Sequence, residues 1–132
     1  SRVADIVFAD AAEKRRLESL VYPLIARRRD AIMRRSKLDP AVKAIILDSP
    51  LLFESNLDRL CDQVIFVEAP EQLRFSRLKQ TRGWPPAEAR RRQERQAPLD
   101  QKRERSGFVI RNQGETTELR RQVAEILEKL LA

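Results

Sequence analysis

Residues 45–54 read Ile45-Ile-Leu-Asp48-Ser-Pro-Leu-Leu-Phe-Glu54 and place a carboxylate between two apolar runs. The first run predicts a buried parallel strand over residues 44–48, with Asp48 at its carboxyl end, where open α/β sheets bind their ligands. A carboxylate at that edge can hold a Mg²⁺-bound water beside a nucleotide triphosphate. The alternative is an Asp that only caps the following turn.

Strands and helices alternate along the rest of the chain. Apolar runs predict two further strands, and apolar residues at three-four spacing predict helices. The strands cover residues 63–69 and 108–112, and the helices cover residues 10–36, 87–96 and 116–131 and another that begins at residue 71. The first helix should bury its apolar stripe, and Pro23 predicts two helices or a kink near Tyr22. This alternation is typical of an α/β fold whose parallel strands are joined by right-handed crossovers.

The positive charge is concentrated in one segment. The chain has 132 residues and a net charge of +7, and residues 74–105 hold eleven Lys/Arg against four Asp/Glu, which is the whole surplus. Gly83-Trp-Pro-Pro86 separates two basic helices there, and guanidinium groups pair well with phosphate oxygens. The segment therefore predicts either a flap over phosphates or a helical hairpin that is charged only because it faces water.

Several kinds of function are excluded or disfavoured by composition. The chain has no histidine and one cysteine, Cys61, so histidine catalysis and an intrachain disulfide are excluded for it. No apolar stretch approaches the roughly 20 residues of a membrane span, and we see no signal-peptide core. We expect a cytoplasmic protein with no membrane partner.

Asn112-Gln-Gly114 ends the last predicted strand. A loop in this position can hydrogen-bond a purine edge through amide groups. The alternative is an ordinary turn, for which Asn and Gly are equally suited.

Taken together, these segments resemble the dephospho-coenzyme A kinase family. The similarity follows the family's order and spacing through Ile6–Asp10, Leu17–Ile25, Leu47–Glu54, Cys61–Val67, Gln72-Leu73, Arg77, Gln96–Arg103 and Phe108–Gly114. The two elements Asp-x-Pro-Leu-Leu-x-Glu and Gln-x-Pro-Leu-x-x-Lys-Arg are its most specific parts.

The resemblance implies a three-layer P-loop kinase fold with a parallel sheet and a helical lid. It implies transfer of a phosphoryl group from ATP, with Mg²⁺, to the ribose 3′-hydroxyl of dephospho-coenzyme A. Asp48 and Arg77 would be catalytic, with Asp48 holding the metal through water. The other implied roles are substrate binding by Tyr22, Pro23, Pro50, Leu51, Leu52 and Glu54, lid function by Arg77, Arg82, Gln96, Lys102 and Arg103, and nucleotide binding by Asn112 and Gly114.

This assignment divides a single partial domain, residues 1–132, into four parts. Residues 1–43 would form a helical acceptor-binding part, 44–70 the core strands, 71–105 the lid, and 106–132 the last strand and helix. Two positions depart from the family pattern, which has His where this chain has Tyr22 and a second lid arginine one residue before Arg82.

The largest departure is that G-x-x-x-x-G-K-[ST], the phosphate-cradling loop, is absent from the sequence. In the family that loop and its strand lie upstream of the matched segment, together with an Asp that acts as the base. We therefore expect an incomplete sheet, a chain that starts inside the domain and no useful kinase activity from it alone. The exposed sheet edges would be covered either by rearrangement or by self-association.

Two alternatives belong to other classes of function. The basic block could make the chain a non-catalytic nucleic-acid-binding module, or the helices could form an interaction domain. Nucleic acid is disfavoured as a partner because only Trp84 and Phe75 in that block could stack on bases.

Overall fold

The computed structural model describes residues 10–132. These residues fall into two compact units that divide between Ile46 and Leu47, and each unit is described by itself. The stretch Ile6–Ala9, which begins the family resemblance, lies outside the described residues.

The first unit contains one long helix, α1, Ala11–Lys37. Asp10 is its N-cap, and the Oδ1 atom of Asp10 accepts hydrogen bonds from the backbone N–H groups of Ala12 at 2.7 Å and Glu13 at 3.4 Å. Two helices or a kink were predicted at Pro23; the division into two helices is wrong, because α1 is helical on both sides of it, and the kink near Tyr22 stays a prediction. A proline removes one hydrogen bond from the ladder, and a 27-residue helix keeps the others.

The apolar stripe of α1 was predicted to be buried, and that prediction is wrong. No residue of the helix is buried, and Leu20 and Leu24 are each 64% exposed. Spacing identifies an apolar face, but burial requires a second element packed against that face. The structure thus leaves a row of large apolar side chains on α1 open.

The predicted strand at residues 44–48 is also wrong. Residues 42–49 are assigned to neither helix nor strand. A strand exists only through hydrogen bonds to a neighbouring strand, and among residues 10–132 the sheet has two strands, neither of which includes this segment.

The second unit is an α/β unit with a small parallel sheet, which confirms the predicted fold class. After a 3₁₀ turn, Leu57–Leu60, its elements are β1 (Ile65–Glu68), α2 (Glu71–Arg82), α3 (Pro86–Gln93), α4 (Leu99–Glu104), β2 (Phe108–Arg111) and α5 (Thr116–Leu131). Strands β1 and β2 pair in register from Ile65 opposite Phe108 to Glu68 opposite Arg111.

The buried part of this unit is small. Four apolar side chains are buried among the described residues, namely Phe53, Ala89, Ile110 and Ile126. One face of α5 contributes Ile126, while Leu127 and Leu130 on the same helix are more than a third exposed.

In residues 10–132, no helix combines the length and the apolar character needed to cross a membrane.

Candidate functional site

The carboxyl ends of β1 and β2 lie at one edge of the sheet, because the strands are parallel. The N–H of Asn112 continues the ladder by donating to the carbonyl of Glu68 at 2.7 Å. The Glu68 carboxylate lies 3.7 Å from both Arg103 and Arg111. The edge where α/β sheets hold their ligands therefore carries a cluster of positive and negative side chains.

Two depressions lie at this edge. The smaller has a volume of about 200 Å³ and is lined by Glu68, Ala69, Pro70, Arg111 and Gln113. The larger, about 280 Å³, includes Arg74 and Arg103 in its lining, beside Asp100. Arginines in such a setting can bind phosphate oxygens through paired hydrogen bonds.

Helices α2 and α3 form a hairpin around Gly83, which ends α2 in the left-handed conformation (φ 66°) that glycine adopts without strain. The hairpin is tied by a hydrogen bond of 2.9 Å from Arg74 Nη1 to Gln93 Oε1. Glu71 and Arg90 form a second link at 3.4 Å. The segment is thus a hairpin of two cross-linked helices, an arrangement that both the flap over phosphates and the solvated helical hairpin would have.

Trp84 lies at the turn of the hairpin, with two guanidinium groups over its ring. Arg92 stands 4.1 Å and Arg82 stands 5.3 Å from the centre of its ring. Cation–π contacts of this kind hold the arginines on the indole. Arg82, a predicted lid residue, is accordingly placed at the hinge of the hairpin.

Arg77 and Asn112 are brought together although they are 35 residues apart. Arg77 Nη2 donates to Asn112 Oδ1 at 3.1 Å. The contact joins the hairpin to the residue that follows β2, at the edge of the sheet where both strands have their carboxyl ends. Gly114, two residues on, has a φ of 118°, a conformation that other residues rarely adopt.

A second group of predicted residues meets around Lys102. Its Nζ lies 2.9 Å from Glu54 Oε1, 3.0 Å from Gln96 Oε1 and 3.2 Å from the carbonyl of Pro50. Glu54 Oε1 also accepts the Ala97 N–H at 2.7 Å. Burial, the largest influence, opposes ionisation of Glu54, but the hydrogen bonds from Lys102 and Ala97 and the lysine charge together hold its pKa below the ordinary value.

Asp48 is exposed, and within the described residues its carboxylate makes no hydrogen bond or ion pair. Leu51 is also exposed, and Leu52 is half-buried. No group of three or more potential metal ligands occurs among residues 10–132. The hard oxygen atoms of Asp48 nevertheless suit Mg²⁺, which keeps waters and takes its other ligands from phosphates.

Tyr22 and Pro23 belong to α1 in the first unit. The Tyr22 hydroxyl donates to Glu18 Oε1 at 3.0 Å. That hydrogen bond, followed by burial and the carboxylate charge, raises the pKa of Tyr22. The hydroxyl therefore stays protonated at physiological pH and can only donate or accept a hydrogen bond.

Sequence reasoning did not single out four residues that the structure places in this region, namely Phe53, Glu68, Arg105 and Arg111. Arg105 lies 2.7 Å from Asp58 and 4.2 Å from the centre of the Phe53 ring. Glu68 and Arg111 form the strand-end ion pair described above. Phe53 was an unspecified position of its motif, and only the apolar character of the segment could have indicated its burial.

A family model described as dephospho-CoA kinase matches residues 1–118. The chain belongs to the dephospho-CoA kinase family. It is 35% identical over 130 residues to the dephospho-CoA kinase of Thermobifida fusca, covering 98% of this chain and 64% of that protein. It is 39% identical over 127 residues to the one from Frankia casuarinae, covering 96% of this chain and 54% of that protein.

Solved structures agree with this assignment. A crystal structure from Thermus thermophilus matches with a TM-score of 0.80 and 28% identity, covering 99% of this chain and 66% of that one. A dephospho-CoA kinase from Campylobacter jejuni matches with a TM-score of 0.62 and 25% identity, covering 98% and 63%. The chain thus spans about 64% of the length of curated relatives of the family such as the Thermobifida fusca enzyme.

Proposed function

We propose that this chain supplies the acceptor and lid portion of a dephospho-coenzyme A kinase, which transfers the γ-phosphoryl group of ATP to the ribose 3′-hydroxyl of dephospho-coenzyme A. The observation that carries the proposal is the 3.1 Å bond from Arg77 to Asn112, because it joins the arginine hairpin to the ligand-binding edge of the sheet. Family membership supplies the reaction.

In this proposal each group has a task that its position allows. Asn112 and Gly114 flank the adenine, and Arg77 and Arg103 offset negative charge on the phosphates. Pro50, Leu51, Leu52 and Glu54 shape the acceptor side, with Tyr22 and Pro23 of α1 as further acceptor-binding residues. Arg82, Gln96 and Lys102 belong to the lid, which excludes water when it closes.

Asp48 would hold Mg²⁺ through a bound water. The metal, when bound with ATP, neutralises charge on the phosphate oxygens. The residue itself supplies an exposed carboxylate that no neighbouring cation among the described residues competes for.

We expect no useful turnover from the 132-residue chain. Phosphoryl transfer depends on positioning and charge neutralisation. The three glycines, Gly83, Gly107 and Gly114, do not form the G-x-x-x-x-G-K-[ST] pattern that cradles phosphates. We also propose that copies of the chain associate through the open edges of the two-stranded sheet and that the protein acts in the cytoplasm, where its partners are dephospho-coenzyme A and ATP.

A calorimetric titration tests the proposal against nucleic-acid binding. We expect saturable binding of dephospho-coenzyme A or Mg²⁺–ATP, and only weak binding to a duplex of unrelated sequence. Nucleic-acid binding is disfavoured because the two guanidinium groups around Trp84 already occupy the ring that bases would need. Binding to the duplex with a steep salt dependence, and to neither nucleotide ligand, would refute the kinase proposal.

A further inference from the structure

Lys102 is the one charged side chain that is buried among the described residues, with 8% of its surface exposed. An ammonium group has three donors and no acceptor. Three oxygen atoms surround this one, from Glu54, Gln96 and the backbone of Pro50. All three donors therefore have a partner within the protein, and none is left for a phosphate oxygen.

The partners of Lys102 come from separate parts of the chain. Pro50 and Glu54 lie in the segment that follows Asp48, and Gln96 lies in the linker between α3 and α4. Pro50 is 52 residues from Lys102 in sequence. The carboxylate of Glu54 adds a further link to the linker by accepting the Ala97 N–H at 2.7 Å.

A second contact between this segment and α4 lies about one helical turn after Lys102. Arg105, which caps α4, pairs with Asp58 at 2.7 Å and stands over Phe53 at 4.2 Å. Residues 50–58 are thus attached to α4 at both ends, by an ion pair whose lysine is buried and by one whose carboxylate is half-buried. Two such attachments leave the segment little freedom to move independently of α4.

We infer that Lys102 is a positioning residue that fixes residues 50–54 against the linker 94–98 and so couples the acceptor side of the site to the lid. It does not contact substrate. Loss of Lys102 removes the ion pair to Glu54 and the hydrogen bonds to Gln96 and Pro50, so it loosens residues 50–54 from the linker. The coupling to the acceptor rests on the proposed function, whereas the attachment itself does not.

Amide hydrogen exchange, followed by NMR on the 132-residue chain, tests the attachment directly. We compare Lys102→Met, which keeps the apolar stem, and Glu54→Gln, which keeps an acceptor but removes the charge. Lys129→Met is the matched control, since Lys129 is an exposed lysine on α5. In Lys102→Met we expect exchange to become about tenfold faster at Ala97 and at residues 55–57, with little change at Ile110 in β2.

Ligand titrations with the same variants test the coupling. We expect Lys102→Met to weaken dephospho-coenzyme A binding by about tenfold and ATP binding by less than about twofold, because the freed segment belongs to the acceptor side. A purely stabilising role would weaken both ligands equally, which would overturn the coupling. Unchanged exchange at Ala97 and residues 55–57 in both variants would overturn the attachment.

Failure of the proposed function can be distinguished from failure of the attachment at Lys102. If Lys102→Met loses protection from amide exchange throughout the second unit, the exchange and binding measurements on Glu54→Gln decide whether the attachment and the coupling exist. If the unmodified chain binds neither ligand, the proposed function fails for this chain and the coupling fails with it. The exchange pattern then still decides whether Lys102 fixes the segment.

Discussion

Replacing Phe53 with alanine should remove a large part of the stability of the second unit. The ring is 92% shielded from solvent, being 8% exposed, and is one of four buried apolar side chains among the described residues. It also supports the guanidinium of Arg105 at 4.2 Å. The substitution therefore removes both a core side chain and the surface on which Arg105 rests.

The expected cost follows from these contacts. A Phe→Ala change in a packed core costs roughly 3–5 kcal/mol. The cation–π contact adds roughly 0.5–1 kcal/mol, because Arg105 is half exposed. Whole domains are stable by only about 5–15 kcal/mol, so a loss of about 4 kcal/mol leaves the unit marginal.

Urea unfolding measures the effect, with circular dichroism for helices and Trp84 fluorescence for the second unit. At an m-value of about 2 kcal/mol/M, the midpoint should fall by about 2 M. Phe53→Leu keeps most of the apolar volume and should lose less than about 2 kcal/mol. Leu131→Ala, at an exposed position, should change stability by less than about 0.5 kcal/mol. A loss below about 1 kcal/mol for Phe53→Ala would refute the burial on which this estimate depends.

Three further predictions concern single side chains. The pKa of Glu54 is lower in the folded chain than its ordinary 4.5, so ionised Glu54 stabilises the fold above that pH and the effect is lost as pH falls. The loss of stability that Glu54→Gln causes at pH 7 should therefore shrink between about pH 5 and 3. A loss that stays constant with pH in urea titrations would contradict this. Arg92→Gln should expose one face of Trp84 and increase acrylamide quenching of its fluorescence, at a cost of about 0.5–1 kcal/mol; unchanged quenching would argue against the stacking. Asp10→Ala should cost α1 about 1 kcal/mol and lower the helical signal at 222 nm, while Asp10→Asn should not, and equal losses in both would show that Asp10 is not acting as the cap.

Local patterns predicted the elements whose determinants are local. Helix α1 begins at Ala11, one residue after the predicted start, α5 covers the predicted residues 116–131, and both strands of the sheet fall within predicted runs. Gly83 and the prolines after it correctly marked the boundary between α2 and α3. In each case the spacing of apolar residues or a turn residue contains the needed information.

The features that were mispredicted depend on partners. Residues 44–48 have the composition of a strand, but a strand also needs a neighbour, and the sheet described here provides none for them. The stripe on α1 has helical spacing, but nothing in spacing says what covers it. Both errors arise because burial and strand pairing are relations between segments.

In the candidate site, too, the sequence indicated single residues but not the contacts between them. Family resemblance indicated that Glu54 and Lys102 matter, but not that they contact each other across 48 positions of sequence. It indicated Arg77 and Asn112 separately, and only the folded chain shows the bond between them. Phe53 and Arg105 carried no motif signal, since their importance comes from mutual packing.

The most direct test of the central claim is NMR mapping of ligand binding on the isotope-labelled chain. With dephospho-coenzyme A we predict saturable shifts concentrated at residues 48–54. With Mg²⁺–ATP we predict shifts at Arg77 and at residues 111–114. Shifts confined to α5, or saturable shifts over residues 74–105 with duplex DNA and none with either nucleotide ligand, would contradict the account.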